Sequence, residues 1–425
     1  MKKRILAVLM AAVMTVGLIA GCGNNAGGSS DGDGGDSGTV EITWMHHFQE
    51  EGIQKWITDV LAEFEKQEPD IKVTVDLIPQ DSFAQTLKTR IASDDAPMIF
   101  DLSQTDIIEY SEAGHLADLS DLEGLANLDQ TMLPSGQIDG VQYSVPLDMN
   151  GYGIFYNKDV FDEYGLEIPT TRSELIAVCE TLQENGVQPF AGGFAEQWCL
   201  QAFYDAFACQ TLGDKNWWTD KMSLESDFSS DEQFRYTVEY LSTLIQYCGD
   251  DPFGEDWDTA QSKVANGEAA MTANGAWAID GILAKNPDCN VRVCAFPATD
   301  NPEETVMQKR PGNGFVVYNS EDEAKVEAAK KLVDFLTTKE SGELYVNDAS
   351  KFSIVSGVDL SSSEPLSDIA SYDDDHSWVS ADVTMFSTEY LSIFYETLAR
   401  YMLDTPVDTD GLCQSLDQDF AAIGG

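Results

Sequence analysis

Hydrophobic positions along the chain switch repeatedly between a spacing of two and a spacing of three to four. Val40, Ile42 and Trp44 alternate with polar neighbours, the period of a half-buried strand. Ile53, Trp56, Ile57, Val60, Leu61 and Phe64 then recur at helical spacing until Pro69 stops the run. Ile71, Val73, Val75 and Leu77 return to period two, Phe83, Leu87 and Ile91 mark a second helix, and Pro97 to Leu102 reads as a short buried strand. Strands alternating with helices of this length predict an α/β fold on parallel sheets with right-handed crossovers. Further helices are expected at Glu174–Gln183, Phe234–Ile245, Glu321–Leu336 and Glu389–Met402. Strand-like segments lie between them at Ala269–Thr272, Val291–Phe296 and Gly314–Val317. No internal repeat of roughly 20–50 residues is present, which argues against a solenoid.

In open α/β sheets ligands sit beyond the carboxyl ends of the strands, so position alone nominates residues. The first strand delivers Met45, His46, His47 and Phe48 to that edge, and the strand ending near Phe100 delivers Asp101, Ser103 and Gln104. A third apolar stretch, Val141–Pro146, runs into Leu147, Asp148, Met149 and Asn150 before Tyr152–Tyr156 resumes strand character.

Composition narrows the choice of partner. The 425 residues are 43% hydrophobic, enough for a sizeable core in one large or two to three ordinary domains. Against 24 Lys and Arg stand 74 Asp and Glu, a formal net charge of −50. A surface so negative repels phosphate backbones and anionic lipids, which excludes nucleic-acid binding but not neutral ligands or cations.

The first residues carry an address. Lys2, Lys3 and Arg4 precede the apolar run Ile5–Ile19, too short for a comfortable membrane span and laid out as an export signal. Leu18-Ile19-Ala20-Gly21-Cys22 resembles the lipobox of bacterial lipoproteins. That resemblance implies a signal peptide over residues 1–21, cleavage before Cys22 and diacylglycerol on its thiol; ordinary secretory cleavage is the alternative. Residues 22–39, rich in Gly, Ser, Asn and Asp, read as a flexible tether. Seven further cysteines (Cys179, Cys199, Cys209, Cys248, Cys289, Cys294 and Cys413) show no metal-binding spacing, and a Cys289–Cys294 bridge stays open.

Longer stretches carry a family likeness. "EITWMHHF…FEKQEPDIKVTV", "DDAPMIFDLS…YSEAGHLADLSDL" and "VQYSVPLDMNGYGIFYNKDVFDEYGLEIPTT" resemble the sugar-type extracellular solute-binding proteins of bacterial ABC importers. "VANGEAAMTANGAWAIDGI" and "RPGNGFVVYNS…EAAKKLVDFLTTKES" follow in the expected order, so the likeness covers roughly Val40–Asn347. It implies a two-lobed periplasmic-binding-protein-like fold of type II, hinged around a central cleft. Lobe 1 is expected at residues 40–147 plus 311–352 and lobe 2 at 148–310 plus 353–425. It further implies a monomer that captures a mono- or oligosaccharide and hands it to permease subunits, with no cofactor. The anchor would hold it on the outer face of the cell membrane, and it points to a Gram-positive host.

A sugar site can be sought among these residues. A pyranose presents an apolar C–H face that aromatic rings cover and a rim of hydroxyls that carboxylates and amides bind. Trp44, Trp198, Trp257, Trp277 and Trp378 are candidates for the first role, with core packing the alternative for each. Trp277 follows Asn274-Gly275-Ala276, where the resemblance implies a ligand-stacking tryptophan. Asp101, Gln104, Asp148, Asn150 and Asn313 are candidates for the rim, with Glu196 and Asp280 behind them. His46 and His47 are neighbours on a strand and face opposite ways, so a hydrogen-bonding contact fits better than a shared metal ion. No GxSxG elbow between strand and helix, HExxH or Walker loop occurs (the Gly28–Gly32 match falls in the Gly- and Ser-rich tether), and a non-enzyme is expected; a glycan-active enzyme and a surface adhesin are the alternatives.

Overall fold

The computed structural model describes residues 38–213, 217–372, 376–379 and 388–424. The expected signal peptide, Cys22 and most of the tether lie outside the described residues. In chain order the strands of the body are β1 (Val40–His46), β2 (Ile71–Leu77), β3 (Ile99–Leu102), β4 (Gln137–Ile138), β5 (Val141–Gln142), β6 (Ser144–Pro146) and β7 (Met149–Asn157). β8 (Gln188–Phe190), β9 (Ala269–Gly275), β10 (Val291–Cys294), β11 (Met307–Pro311), β12 (Gly314–Val317) and β13 (Ser377–Val379) follow. They form two main sheets, ordered β2-β1-β3-β12-β6 and β13-β11-β7-β9-β8, with β10 also beside β7 and β4-β5 a separate hairpin.

The predicted parallel arrangement holds for β2-β1-β3, but both sheets are mixed. The reason is a two-stranded ribbon that runs through both. β6 continues into β7 and β11 into β12, and the two segments pair antiparallel on either side of the passage: Pro146 with Gly314 in one sheet, Met149 with Pro311 in the other. Each passage carries its own strand straight on into the next sheet, so the antiparallel sense of the pair is the same on both sides. A third segment lies alongside, with Met149 N–H donating to Phe352 O and Ile354 N–H to Leu147 O.

Helices cover each sheet as the periodicity demands. Glu51–Gln67 buries Ile53, Trp56, Ile57, Val60 and Phe64 of the stripe read from the sequence, with Leu61 half-buried at its edge. Trp56 in turn meets Tyr345 of the helix Lys339–Ala349, ring centroids 4.6 Å apart. Over the second sheet, Arg172–Glu184 starts with a capping box between Thr171 and Glu174, worth about 1 kcal/mol. Gln197–Leu212 is buried along most of its length, Phe203 and Phe207 packing on Phe296. The seven described cysteines carry free thiols, so Cys289 and Cys294 are not bridged. Among the described residues no helix is long and apolar enough to cross a membrane.

Candidate ligand-binding site

Where the ribbon passes from one sheet to the other, a cavity of about 620 Å³ opens. His47 and Phe48 reach it from the end of β1, Asp148 and Asn150 from one passage, and Gly312 and Asn313 from the other. Trp277 and Trp198 line it as well, one just after β9 and one in the first turn of Gln197–Leu212.

The aromatic wall is held from behind. Trp277 meets Tyr152 edge-on at 5.4 Å and Trp198 at 6.3 Å, and Trp198 remains 38% exposed. A Cβ on Gly275 would fall 2.3 Å from the Trp277 ring, so only glycine lets the indole lie against the strand end. Glu196 accepts the Trp198 indole N–H at 2.9 Å and the Trp257 backbone N–H at 3.1 Å, which makes it a brace for both rings. Behind Tyr152 the Arg310 guanidinium lies 4.7 Å from the ring centroid and donates to buried Asp205 at 3.0 Å. Asp205 also accepts Tyr395 O–H at 2.8 Å, which ties in the helix Thr388–Met402.

The polar wall is built on the passages. Asp148 accepts Tyr345 O–H at 2.9 Å, and burial pushes its carboxyl above the usual carboxylate range against the pull of Lys351 and Tyr345. A side chain at Gly312 would collide with that carboxylate, its Cβ only 1.7 Å from Oδ1. Lys351, itself buried, lies 3.5 Å from Glu50. Burial opposes the Glu50 charge, but Lys351 and Glu50's own backbone outweigh it and hold that carboxyl below its ordinary value. Asp101 backs the lining from beneath: it accepts from Asn313 Nδ2 at 2.9 Å, while His47 Nδ1 stands 2.8 Å away, off the line of a hydrogen bond.

Six of the sequence candidates therefore share one cavity: His47, Asp148, Asn150, Trp198, Trp277 and Asn313. Asp101 lies one layer beneath them. Trp44 is fully buried, packed edge-on against Trp56 and Phe315, and its place is the core. His46 is buried too, stacked 6.0 Å from Phe48 with neither ring nitrogen hydrogen-bonded, and burial pushes its pKa down to about 4. Gln104 opens the helix Gln104–Glu112 and Trp378 pairs with Gln308 across β13 and β11; both side chains lie outside what the structure describes. Asp280, in the first turn of Ala278–Lys285, is pushed up by burial, with Lys351 pulling the other way.

Sequence reasoning missed Glu50, Tyr345 and Lys351 on the cavity wall. Tyr345 reads as an ordinary apolar helix position. Lys351 had no signal either: Ser350 ends its helix in a left-handed conformation (φ 50), which a serine seldom adopts, just before the lysine that reaches the cavity.

A cavity spanned by two passages between two mixed α/β sheets defines a two-lobed binding protein of the periplasmic type. The chain belongs to the bacterial extracellular solute-binding protein family, whose model matches residues 49–343. It is 25% identical over 367 residues to the Multiple sugar-binding protein of Streptococcus mutans, covering 83% of each chain. It is 22% identical over 323 residues to the melibiose/raffinose/stachyose-binding protein MelE of Bacillus subtilis, covering 73% of each. Among solved structures, RafE in complex with raffinose superposes with TM-score 0.79 at 22% identity, over 91% of this chain and 100% of that one. Members of this family bind solutes rather than transform them, and this chain is not an enzyme.

Proposed function

We propose that the protein captures a carbohydrate outside the membrane and delivers it to an ABC permease, tethered by diacylglycerol on Cys22. One observation carries the reading. A single cavity is lined by two tryptophan rings, Trp198 and Trp277, and by carboxylate and amide groups at Asp148, Asn150 and Asn313. The site thus holds both kinds of group, without regard to which wall each stands on: rings cover the C–H face of a pyranose, and the polar groups receive its hydroxyls. Relatives whose names specify sugars support the same class of ligand.

The mechanism we infer is a clamp. Lobe 1 (residues 40–147 with 311–352) supplies His47, Asn313 and Lys351, and lobe 2 supplies Trp198 and Trp277. A ligand bridging both stabilises the closed arrangement by its differential affinity, and a permease then distinguishes closed from open. The expected lobe 1 ends at residue 352, but Asp129 N–H still donates to Ile354 O and Ser356 N–H to Asn127 O, so we count residues 353–356 with lobe 1 and draw the third passage after Ser356.

Calorimetry and thermal melts over a panel of neutral oligosaccharides, with product analysis, test the proposal. One-to-one binding without new products is expected. Turnover would favour a glycan-active enzyme, and slow release from long polymers alone would favour an adhesin. Failure of every saccharide to bind overturns the carbohydrate assignment.

A further inference from the structure

The charge around the cavity points to a narrower ligand class. Both cationic candidates on its wall already face carboxylates. Lys351 stands beside Glu50 at 3.5 Å and also within the fields of Asp148 and Asp280. His47 has its Nδ1 2.8 Å from Asp101 Oδ2. The nearest arginine behind the aromatic wall, Arg310, is bound to Asp205. Asp148, by contrast, shares Lys351 with Glu50 and is in ion-pair contact with no cation among the described residues: one oxygen accepts Tyr345 O–H, Lys351 acts on it through its field, and burial still pushes its carboxyl upward. Among the described residues that line the cavity, then, no cation lacks an acidic neighbour, and one carboxylate is in surplus. The exterior adds to this, with a net charge of −50.

We propose, resting on the carbohydrate reading above, that the site selects uncharged saccharides and rejects acidic ones such as uronates and sulfated or phosphorylated sugars. An anionic ligand group brought among the Asp148 and Glu50 carboxyls of this wall meets like charge in a partly desolvated space, where screening by salt is weak, and adds to the burial that already disfavours a charged Asp148. The geometry leaves it no free cation to compensate. A neutral hydroxyl at the same place donates to Asp148 and lowers the cost of its burial, as a carboxylate accepting hydrogen bonds is favoured in the charged form. A protonated amine would do so more strongly.

The test uses raffinose, maltotriose and chitotriose, each in three forms that differ at one C6 position: CH₂OH, COO⁻ and CH₂NH₃⁺. Affinities are measured by calorimetry on the full mature chain. For each saccharide that binds, the carboxylate form is expected to bind about 10- to 100-fold more weakly than the alcohol. The amine form should bind at least as tightly as the alcohol. Asp148→Asn should narrow the gap between alcohol and carboxylate, whatever it does to the affinity of the alcohol itself, and a circular dichroism melt confirms that this variant is folded. Carboxylate binding within threefold of the alcohol, or tighter, overturns the inference while leaving the carbohydrate reading intact. If Lys351→Met weakens the carboxylate form selectively, Lys351 is an anion receptor and the inference fails. If no saccharide binds in any form, both readings fall together.

Discussion

Replacing Trp277 with alanine removes a half-buried indole that meets Tyr152 edge-on at 5.4 Å and Trp198 at 6.3 Å. An indole of this kind covers roughly 200 Å² in all, and a sugar stacked on one face takes at most about half of that from water. At about 25 cal/mol per Å² the contact contributes about 1–2.5 kcal/mol, so Trp277→Ala should weaken binding about 5- to 70-fold. The same change costs the free protein its edge contact with Tyr152, about 0.5–1.5 kcal/mol. Trp44→Ala supplies the contrast. That ring is fully buried between Trp56 and Phe315, and its loss should cost about 3–5 kcal/mol of stability. Calorimetry and urea unfolding on both variants separate the two roles. Near-normal affinity in a folded, strongly destabilised Trp277→Ala protein would refute the stacking argument and move the ring into the core.

Other expectations can be checked with simpler measurements. His46 titrates near 4 in the folded protein because burial outweighs the attraction of Asp101, with His47 opposing its charge and Glu50 favouring it. The folded state therefore binds fewer protons than the unfolded one between about 4 and 6.5; stability present above 6.5 is lost as pH falls through that window, by up to about 3 kcal/mol. His46→Gln should remove this loss, read as a flatter profile of unfolding free energy between pH 7 and 4. Arg310→Met leaves buried Asp205 with Tyr395 alone, and should cost about 3–5 kcal/mol in urea unfolding. Cys22→Ala is expected to release the protein from the membrane fraction or leave its signal uncleaved; retention with normal processing would refute the anchor.

Local order in this chain was legible, and long-range order was not. The helix over Glu51–Gln67 buries the residues its 3.6-residue stripe named, with Leu61 only half-buried, and β1 and β2 begin where alternation begins. The expected helices at Phe234–Ile245 and Glu321–Leu336 form at Glu232–Ile245 and Glu323–Leu336, each started by an aspartate whose side chain caps the first turn. What periodicity cannot express is which segment meets which. It gave no sign that Tyr345 would bond Asp148 from 197 residues away, or that Tyr395 would reach Asp205 across 190. Periodicity alone left Trp44 between core and cleft, and it was the break at Asn274-Gly275-Ala276 that singled out Trp277, whose ring lies against the glycine at the end of β9. The mixed sheets escaped notice because the ribbon's direction depends on continuity through two-residue passages, not on composition.

Seven thiols without a crosslink also bear on how the molecule can be handled. Six are buried, and burial raises all seven, Cys209 to about 12 and Cys289 and Cys413 to about 11, so at neutral pH almost none is ionised. Thiolate, not thiol, reacts with maleimides and oxidants. The body should therefore need no oxidase or isomerase to reach its fold, and should tolerate storage in air. A cysteine engineered onto the surface would be far more reactive than the native seven, which makes background-free attachment of a fluorescent reporter practical without first stripping the core of its sulfur.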